Sequence, residues 1–309
     1  MSAAVTIGSV VLPAPVMTAS GTAGHGAELA PYFPLSQLGA VVVKSLAAYE
    51  WAGNPAPRVH TAGNGMINAV GLQGPGVAAW LEHDLPALAA TGARVVASIW
   101  GRSVDDYRRA AEQLAEASDS VVAVEVNLSC PNLEGRRGIF AHDAALSAEV
   151  IRATAACGRP RWAKLSPNTD RVVEVAGAVH DAGAEAVTLV NTLLGMVLDP
   201  DTGRPALGAG GGGYSGTPIH AVAVRTIFDV RAALPDLPIV GVGGVAAGWD
   251  AAELLLAGAN AVQVGTATFD DPRAAIKVQQ ALLEWCARRS LSPSELSGLA
   301  HRGGLPPTG

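Results

Sequence analysis

A (β/α)8 barrel of the TIM type is the fold class this sequence predicts, and three observations predict it. Apolar, β-branched runs that end in small or polar residues recur eight times, at residues 15–20, 41–45, 95–100, 121–127, 161–166, 186–191, 239–243 and 261–265. Ala-rich amphipathic stretches fall between them, at 77–90, 104–117, 144–156, 171–182, 221–233, 249–256 and 272–288. The 309 residues, 49% of them hydrophobic, are an ordinary length for one such barrel and ample for its core. Near-continuous apolar runs are what a parallel strand buried on both faces requires, and strands alternating with helices build a parallel sheet.

The remaining elements follow in order. Residues 5–12 alternate weakly around Gly8-Ser9, the pattern of a small N-terminal hairpin. Ser103 with Asp106, and Thr169 with Asp170, are helix-start signals, because a short polar side chain accepts from the free N–H groups of a first turn. Gly183 and Gly258 follow helices and suit left-handed caps. Two connections, 46–76 and 193–217, are too long for plain strand-to-helix loops. Both follow strand C-termini, so both are expected over the barrel mouth. No linker or charge block divides the chain, and residues 1–309 are read as one domain. Residues 301–309 are polar, rich in Pro and Gly, and expected to be loosely held.

The net charge of −6 leaves no basic footprint, which argues against nucleic acid and anionic membrane as partners. The three cysteines, Cys130, Cys157 and Cys286, lie far apart, without the spacing of a disulfide framework or a zinc site. The N-terminus lacks a secretory pattern, and no apolar run reaches membrane-spanning length. The expected location is the reducing cytoplasm.

Function is expected at the strand ends. The fourth run closes in Asn127-Leu128-Ser129-Cys130-Pro131-Asn132, and a buried strand gains nothing from amides and a thiol at its tip. At a barrel mouth, Asn127 and Asn132 can hydrogen-bond a planar polar ligand, and Cys130 can take or give a proton or attack as thiolate. The alternative is a strand-to-loop turn with a small inert cysteine. Lys44 and Lys164 end apolar strands, where a buried ammonium needs an electron-rich or anionic partner. Each could instead reach solvent or pair with a carboxylate. Gly243-Gly244 and Gly265-Thr266 close the last two strands, where barrels commonly hold a phosphate on backbone N–H groups and a helix N-terminus.

With these residues in place, the chain resembles the class 1 dihydroorotate dehydrogenases over nearly its whole length. The shared segments are Ala19-Ser20-Gly21-Thr22, Val43-Lys44-Ser45, Gly53-Asn54-Pro55, Asn68-Ala69-Val70-Gly71-Leu72-Gln73, Asn127 to Asn132, Lys164-Leu165-Ser166-Pro167-Asn168, Asn191-Thr192, Ser215-Gly216, Gly243-Gly244 and Gly265-Thr266. The cysteine at position 130 looks like class 1, and Lys-Leu-Ser-Pro-Asn looks like subgroup 1B.

The resemblance implies oxidation of (S)-dihydroorotate to orotate in pyrimidine (UMP) biosynthesis, with FMN across the mouth. Its phosphate would rest on Gly243, Gly244, Gly265 and Thr266, near Gly216. Ser20, Lys44, Ser45, Ser98, Asn127, Lys164 and Val190 would line its ring and ribityl chain. Substrate would be held by Lys44, Asn68, Ala69, Val70, Gly71, Leu72, Asn127, Asn132, Asn191 and Thr192. Cys130 would take the C5 proton while hydride passes from C6 to flavin N5. A thiol suits that task because its pKa lies nearer neutrality than a serine hydroxyl's. Subgroup 1B further implies a homodimer and a second subunit carrying FAD and an iron–sulfur cluster, which passes electrons to NAD; fumarate is the less favoured acceptor. Two other readings share the barrel: a related FMN-dependent dihydropyrimidine oxidoreductase and a non-catalytic flavin-binding paralogue.

The chain departs from the family pattern at Ala23 and His25, where aromatics are usual, at Gly74, where Asn is common, and in the loop from Glu134 to Phe140. Residues 131–142 combine Gly135 and Gly138, Arg136 and Arg137, and a single large apolar residue, Phe140. That combination is expected to form a lid with flexible ends, a polar outer face and an apolar contact that excludes water.

Overall fold

The computed structural model describes residues 2–129, 131–132 and 138–306, without the side chains of 131 and 132. Eight parallel strands form the barrel: β1 (Val16–Thr18), β2 (Val41–Val42), β3 (Val95–Ile99), β4 (Val121–Asn127), β5 (Arg161–Lys164), β6 (Ala186–Leu189), β7 (Ile239–Val242) and β8 (Ala261–Val264). The hydrogen-bonded order is β1-β8-β7-β6-β5-β4-β3-β2. Closure between β1 and β2 rests on a parallel bridge of Met17 with Ala40 and on Gly39 N donating to Val16 O at 2.8 Å. The Thr18 hydroxyl completes the seam, accepting from Val42 N at 2.9 Å and donating to Val42 O at 3.3 Å.

All eight predicted strands form; the fourth spans its whole run, 121–127, and the other seven are shorter than theirs, because the last residues of those runs turn into the mouth. The Val5–Ile7 and Val10–Leu12 strands pair antiparallel as the expected hairpin. Its apolar face joins Met17, Val42, Val96, Ala123, Trp162, Ala186, Val240 and Ala261 in one buried cluster, which plugs the N-terminal end of the barrel. Period-two alternation then sets the next interior layer. Two residues beyond Ala123 stands Glu125, and two beyond Trp162, Val96 and Ala261 stand Lys164, Ser98 and Gln263. This layer is polar yet buried, with Glu125, Ser98 and Gln263 fully shielded.

The helices lie outside the sheet: α1 (Val77–His83), α2 (Leu85–Ala90), α3 (Val104–Leu114), α4 (Ala144–Ala153), α5 (Val172–Asp181), α6 (His220–Ala233), α7 (Gly248–Ala257) and α8 (Ala274–Ala287). The stretch expected as one helix over 77–90 is two. Pro86 has no N–H for the carbonyl four residues back, so α1 stops at Asp84 and Pro86 sits in the first turn of α2. Ser103 caps α3 as its spacing predicts, its hydroxyl accepting from Asp106 N at 3.1 Å. Gly183 and Gly258 follow α5 and α7 with positive φ, as expected. At α5 the signal shifts by two residues: Thr169 accepts from Arg171 N at 3.1 Å, and Arg171 takes the cap position without a side-chain bond.

The start of the chain end, at His301 and Arg302, differs from expectation, and residues 307–309 lie outside the described residues. Residues Leu299–Arg302 form a short 3-10 helix, and the His301 ring stacks on Phe228 at 3.9 Å while its Nε2 meets Ala257 O at 3.0 Å. Aromatic stacking and a carbonyl partner hold a segment whose composition alone reads as loose.

Both long connections lie over the mouth and form one structure. Strands Val59–Ala62 and Gly65–Asn68 from the first, and Leu193–Gly195 and Gly212–Gly216 from the second, make a four-stranded antiparallel sheet. Of the expected lid, Glu134, Gly135, Arg136 and Arg137 fall outside the described residues. Phe140 is not an apolar flap. It is 1% exposed and packs edge-on to Tyr107 at 5.4 Å, so it anchors the segment in the core.

Candidate active site

Strand C-termini and the overlying sheet enclose a cavity of about 830 Å³. That volume suits a cofactor with a small substrate. Ser20, Lys44, Ser45, Asn127, Lys164 and Val190 line it from the ends of β1, β2, β4, β5 and β6, and Asn191 and Thr192 follow from β6. Gly243, Gly244, Gly265 and Thr266 line it from β7 and β8, and Asn68, Ala69, Val70, Gly71, Leu72 and Gly216 from the sheet above. Ser98 stands apart from the wall. It is fully buried, and its hydroxyl bonds Ser45 Oγ at 2.8 Å and Glu125 at 3.4 Å, so it supports Ser45 from behind. Cys130 lies outside the described residues; its neighbour Ser129, and Ile139 farther along, line the cavity. The backbone of Asn132 pairs with Gly138 in a two-residue ladder.

The two lysines differ. Lys164 Nζ lies 3.3 Å from Glu125 Oε1, and Glu125 also accepts from Gln263 Nε2 at 2.8 Å. The carboxylate partner that a buried lysine calls for is thus in the barrel itself. Sequence reasoning passed over Glu125 as part of an apolar run; the signal was a charged residue two positions before Asn127, on the same inward face. Lys44 has no carboxylate within ion-pairing distance among the described residues. Burial, then the nearby Arg58 charge, holds its pKa below the ordinary lysine value.

Above the floor runs an amide chain. Asn127 Nδ2 donates to Ser45 Oγ at 3.2 Å, and its Oδ1 accepts from Asn191 Nδ2 and from Ser129 N, each at 3.2 Å. Asn168, quoted in the sequence motif without a role, clamps the loop after β6: its Nδ2 donates to Thr192 O at 3.0 Å and its Oδ1 accepts from Leu194 N at 2.9 Å.

The 69–72 backbone is turned to one purpose. The carbonyls of Ala69, Val70 and Gly71 take Asn54 Nδ2 at 3.1 Å, Asn54 N at 3.1 Å and Trp51 Nε1 at 3.0 Å. The N–H groups of Val70, Gly71 and Leu72 donate to nothing among the described residues. Gly71 and Leu72 both have positive φ, 74° and 61°. A left-handed leucine is strained by roughly 1 kcal/mol or more, and successive N–H groups so turned form an anion-binding nest.

At the opposite end, Gly243 and Gly244 have φ of 138° and 68°. A Cβ on Gly243 would lie 2.7 Å from Ala223 Cβ, and one on Gly244 the same distance from His220 Cβ, so only glycine lets the turn sit against the start of α6. The N–H groups of Gly244 and Thr266 have no acceptor among the described residues, and Thr266 Oγ1 donates to Ser215 Oγ at 2.9 Å. These donors and the helix N-terminus fit a phosphate. No cluster of three metal-binding side chains occurs, and no helix is long and apolar enough to cross a membrane, among the described residues.

Two departures from the family pattern meet here. His25 Nε2 lies 3.1 Å from where a Cβ on Gly74 would stand, so the small residue makes room for the imidazole. Burial, then the Lys44 charge, pushes the His25 pKa down.

A family model described as dihydroorotate dehydrogenase matches residues 2–285. The chain is 44% identical over 303 residues to the dihydroorotate dehydrogenase B (NAD(+)) catalytic subunit of Desulforudis audaxviator, covering 97% of this chain and 98% of that one. It is 42% identical over 288 residues to the protein of the same name from Alkaliphilus metalliredigens, covering 93% and 94%. With its namesake in Trichlorobacter lovleyi it is 42% identical over 289 residues, again covering 93% and 94%.

Proposed function

The chain belongs to the dihydroorotate dehydrogenase family, and on that premise we propose that it oxidises (S)-dihydroorotate to orotate in pyrimidine biosynthesis with bound FMN. The observation that carries this reading is one cavity with an anion site at each end. Lys44 and the 70–72 nest stand at one end, and a glycine turn on a helix N-terminus at the other.

The residues divide the work by chemistry. Lys44 and the N–H groups of Val70, Gly71 and Leu72 hold the substrate carboxylate, while Asn68, Asn127, Asn132, Asn191 and Thr192 meet its ring amides. Gly216, Gly243, Gly244, Gly265 and Thr266 hold the FMN phosphate. Ser20, Ser45 and Val190 line the flavin, Ser98 holds Ser45, and Lys164 offers a cation to the flavin edge that gains negative charge. Cys130 Sγ takes the C5 proton, and the chain's remaining task is to keep C6 aligned and dry while the proton leaves. FMN, when bound, supplies the acceptor for the C6 hydride. The protein works in the cytoplasm as a homodimer, and a second subunit with FAD and an iron–sulfur cluster carries electrons on to NAD.

Anaerobic mixing of the yellow purified protein with dihydroorotate tests the activity. Bleaching of the flavin band is the expected result. Bleaching only with dihydrouracil or dihydrothymine overturns it in favour of a dihydropyrimidine oxidoreductase, and no bleaching with any of them favours a binding protein.

A further inference from the structure

His220 is the first residue of α6, a helix of 14 residues. Its Nδ1 lies 2.8 Å from the Gly243 carbonyl oxygen and its Nε2 lies 3.1 Å from Glu253 Oε2. Both partners only accept, so both bonds form together only when the imidazole carries two protons. A cation at a helix N-terminus opposes the helix dipole unless anions stand close by. Glu253 of α7 is one such anion, and its position on a neighbouring helix fixes the ring from the side away from the cavity.

The consequence falls on one peptide group. In a trans peptide the carbonyl and the next N–H point in opposite directions. The Gly243 carbonyl is turned to His220, so the Gly244 N–H is turned away from it. That N–H has no acceptor among the described residues, and Gly244 lines the cavity.

We infer that His220 and Glu253 are positioning residues that lock the Gly243–Gly244 peptide and add a positive charge behind it for a phosphomonoester dianion in the cavity. The inference rests on the reading above that the FMN phosphate sits at this turn. The Gly244 N–H stands on the cavity side of this peptide and the His220 ring behind it, at the start of α6, with Glu253 as the ring's anionic partner among the described residues. Neither side chain lines the cavity, so neither touches the flavin, and both act through the peptide.

The test compares two flavins that differ only in the phosphate. Full-length protein, stripped of flavin, is titrated with FMN and with riboflavin, and binding is read by flavin fluorescence. The parent should prefer FMN. His220→Ala should reduce FMN affinity by about tenfold or more, the scale of one charged hydrogen bond, and leave riboflavin affinity within about twofold. His220→Gln keeps the bulk and one donor but not the charge, and Glu253→Gln removes the anion that holds the ring. Both should lower the FMN preference by at least about threefold, with thermal unfolding close to the parent's. Unchanged preference in the two glutamine variants overturns the inference, as does equal weakening of both flavins. A parent that binds both flavins equally overturns the phosphate assignment itself, and is distinguishable because no variant is needed to see it.

Discussion

Lys44 and Lys164 share a cavity but not an electrostatic role. Lys164 and Glu125 form a buried pair, and breaking such a pair by removing one partner costs about 3–5 kcal/mol. Glu125→Ala is therefore expected to lower stability by that amount, read by denaturant unfolding of the apoprotein; a loss under about 1 kcal/mol would mean that the pair is dispensable. Lys44 has no carboxylate partner among the described residues and can serve a ligand carboxylate. Lys44→Ala should weaken orotate binding more than uracil binding, and equal losses would assign the lysine to the flavin alone. The sign of the pH effect follows from its lowered pKa. Only the ammonium attracts the carboxylate, so orotate affinity is full below that pKa and falls as pH rises through it, at a pH under the ordinary 10.5. The uracil curve should lack this fall. Cys130→Ala should keep orotate and FMN binding while flavin reduction slows by about 100- to 10,000-fold. A rate within a few-fold of the parent's would remove Cys130 from the role of base.

Among the elements, the segment after β4 is the place where motion would matter. Ser129 and Ile139 line the cavity, Asn132 pairs with Gly138, and Phe140 packs its ring on Tyr107 while its carbonyl accepts from Ser147 Oγ at 2.8 Å. Any lid in this segment thus lies upstream of the buried Phe140. Orotate is expected to slow trypsin cleavage after Arg136 or Arg137, read by intact mass. Cutting at the same rate with saturating orotate would make the segment ordinary surface. The 46–76 and 193–217 connections are the other cover of the mouth, and their shared sheet couples them: Asn68 Nδ2 donates to Gly213 O at 3.3 Å across it.

For the whole molecule, the expected cofactor and partner set the outcome. Heat-released flavin should run as FMN, and FAD as the main species would sink the assignment. Protein expressed alone, reduced anaerobically by dihydroorotate, should not be reoxidised by NAD, because its three cysteines lie too far apart in sequence to suggest an iron–sulfur cluster and no group of three metal-binding side chains occurs among the described residues. Rapid reoxidation by NAD without a second protein would remove the need for the partner subunit.

The barrel was legible in the sequence because it is written in local pattern. Each strand is a short β-branched run, each helix an amphipathic stretch, and the glycines at 183 and 258 mark turns that only local backbone sterics demand. The mouth residues were legible for a related reason: Asn127, Lys44 and Lys164 stand where an apolar run ends, and polarity there has a cost that local folding does not explain. What only the tertiary structure decided is pairing. Nothing in the chain order brings Glu125 to Gln263, His220 to Gly243 and Glu253, Phe228 to His301, or the two long connections into one sheet. Those contacts join segments far apart in sequence, and their partners are chosen by barrel closure and register, which fix at once the spacing of all eight strands. The same closure separates the two lysines, pairing one with a buried carboxylate and leaving the other at the mouth with no carboxylate partner among the described residues.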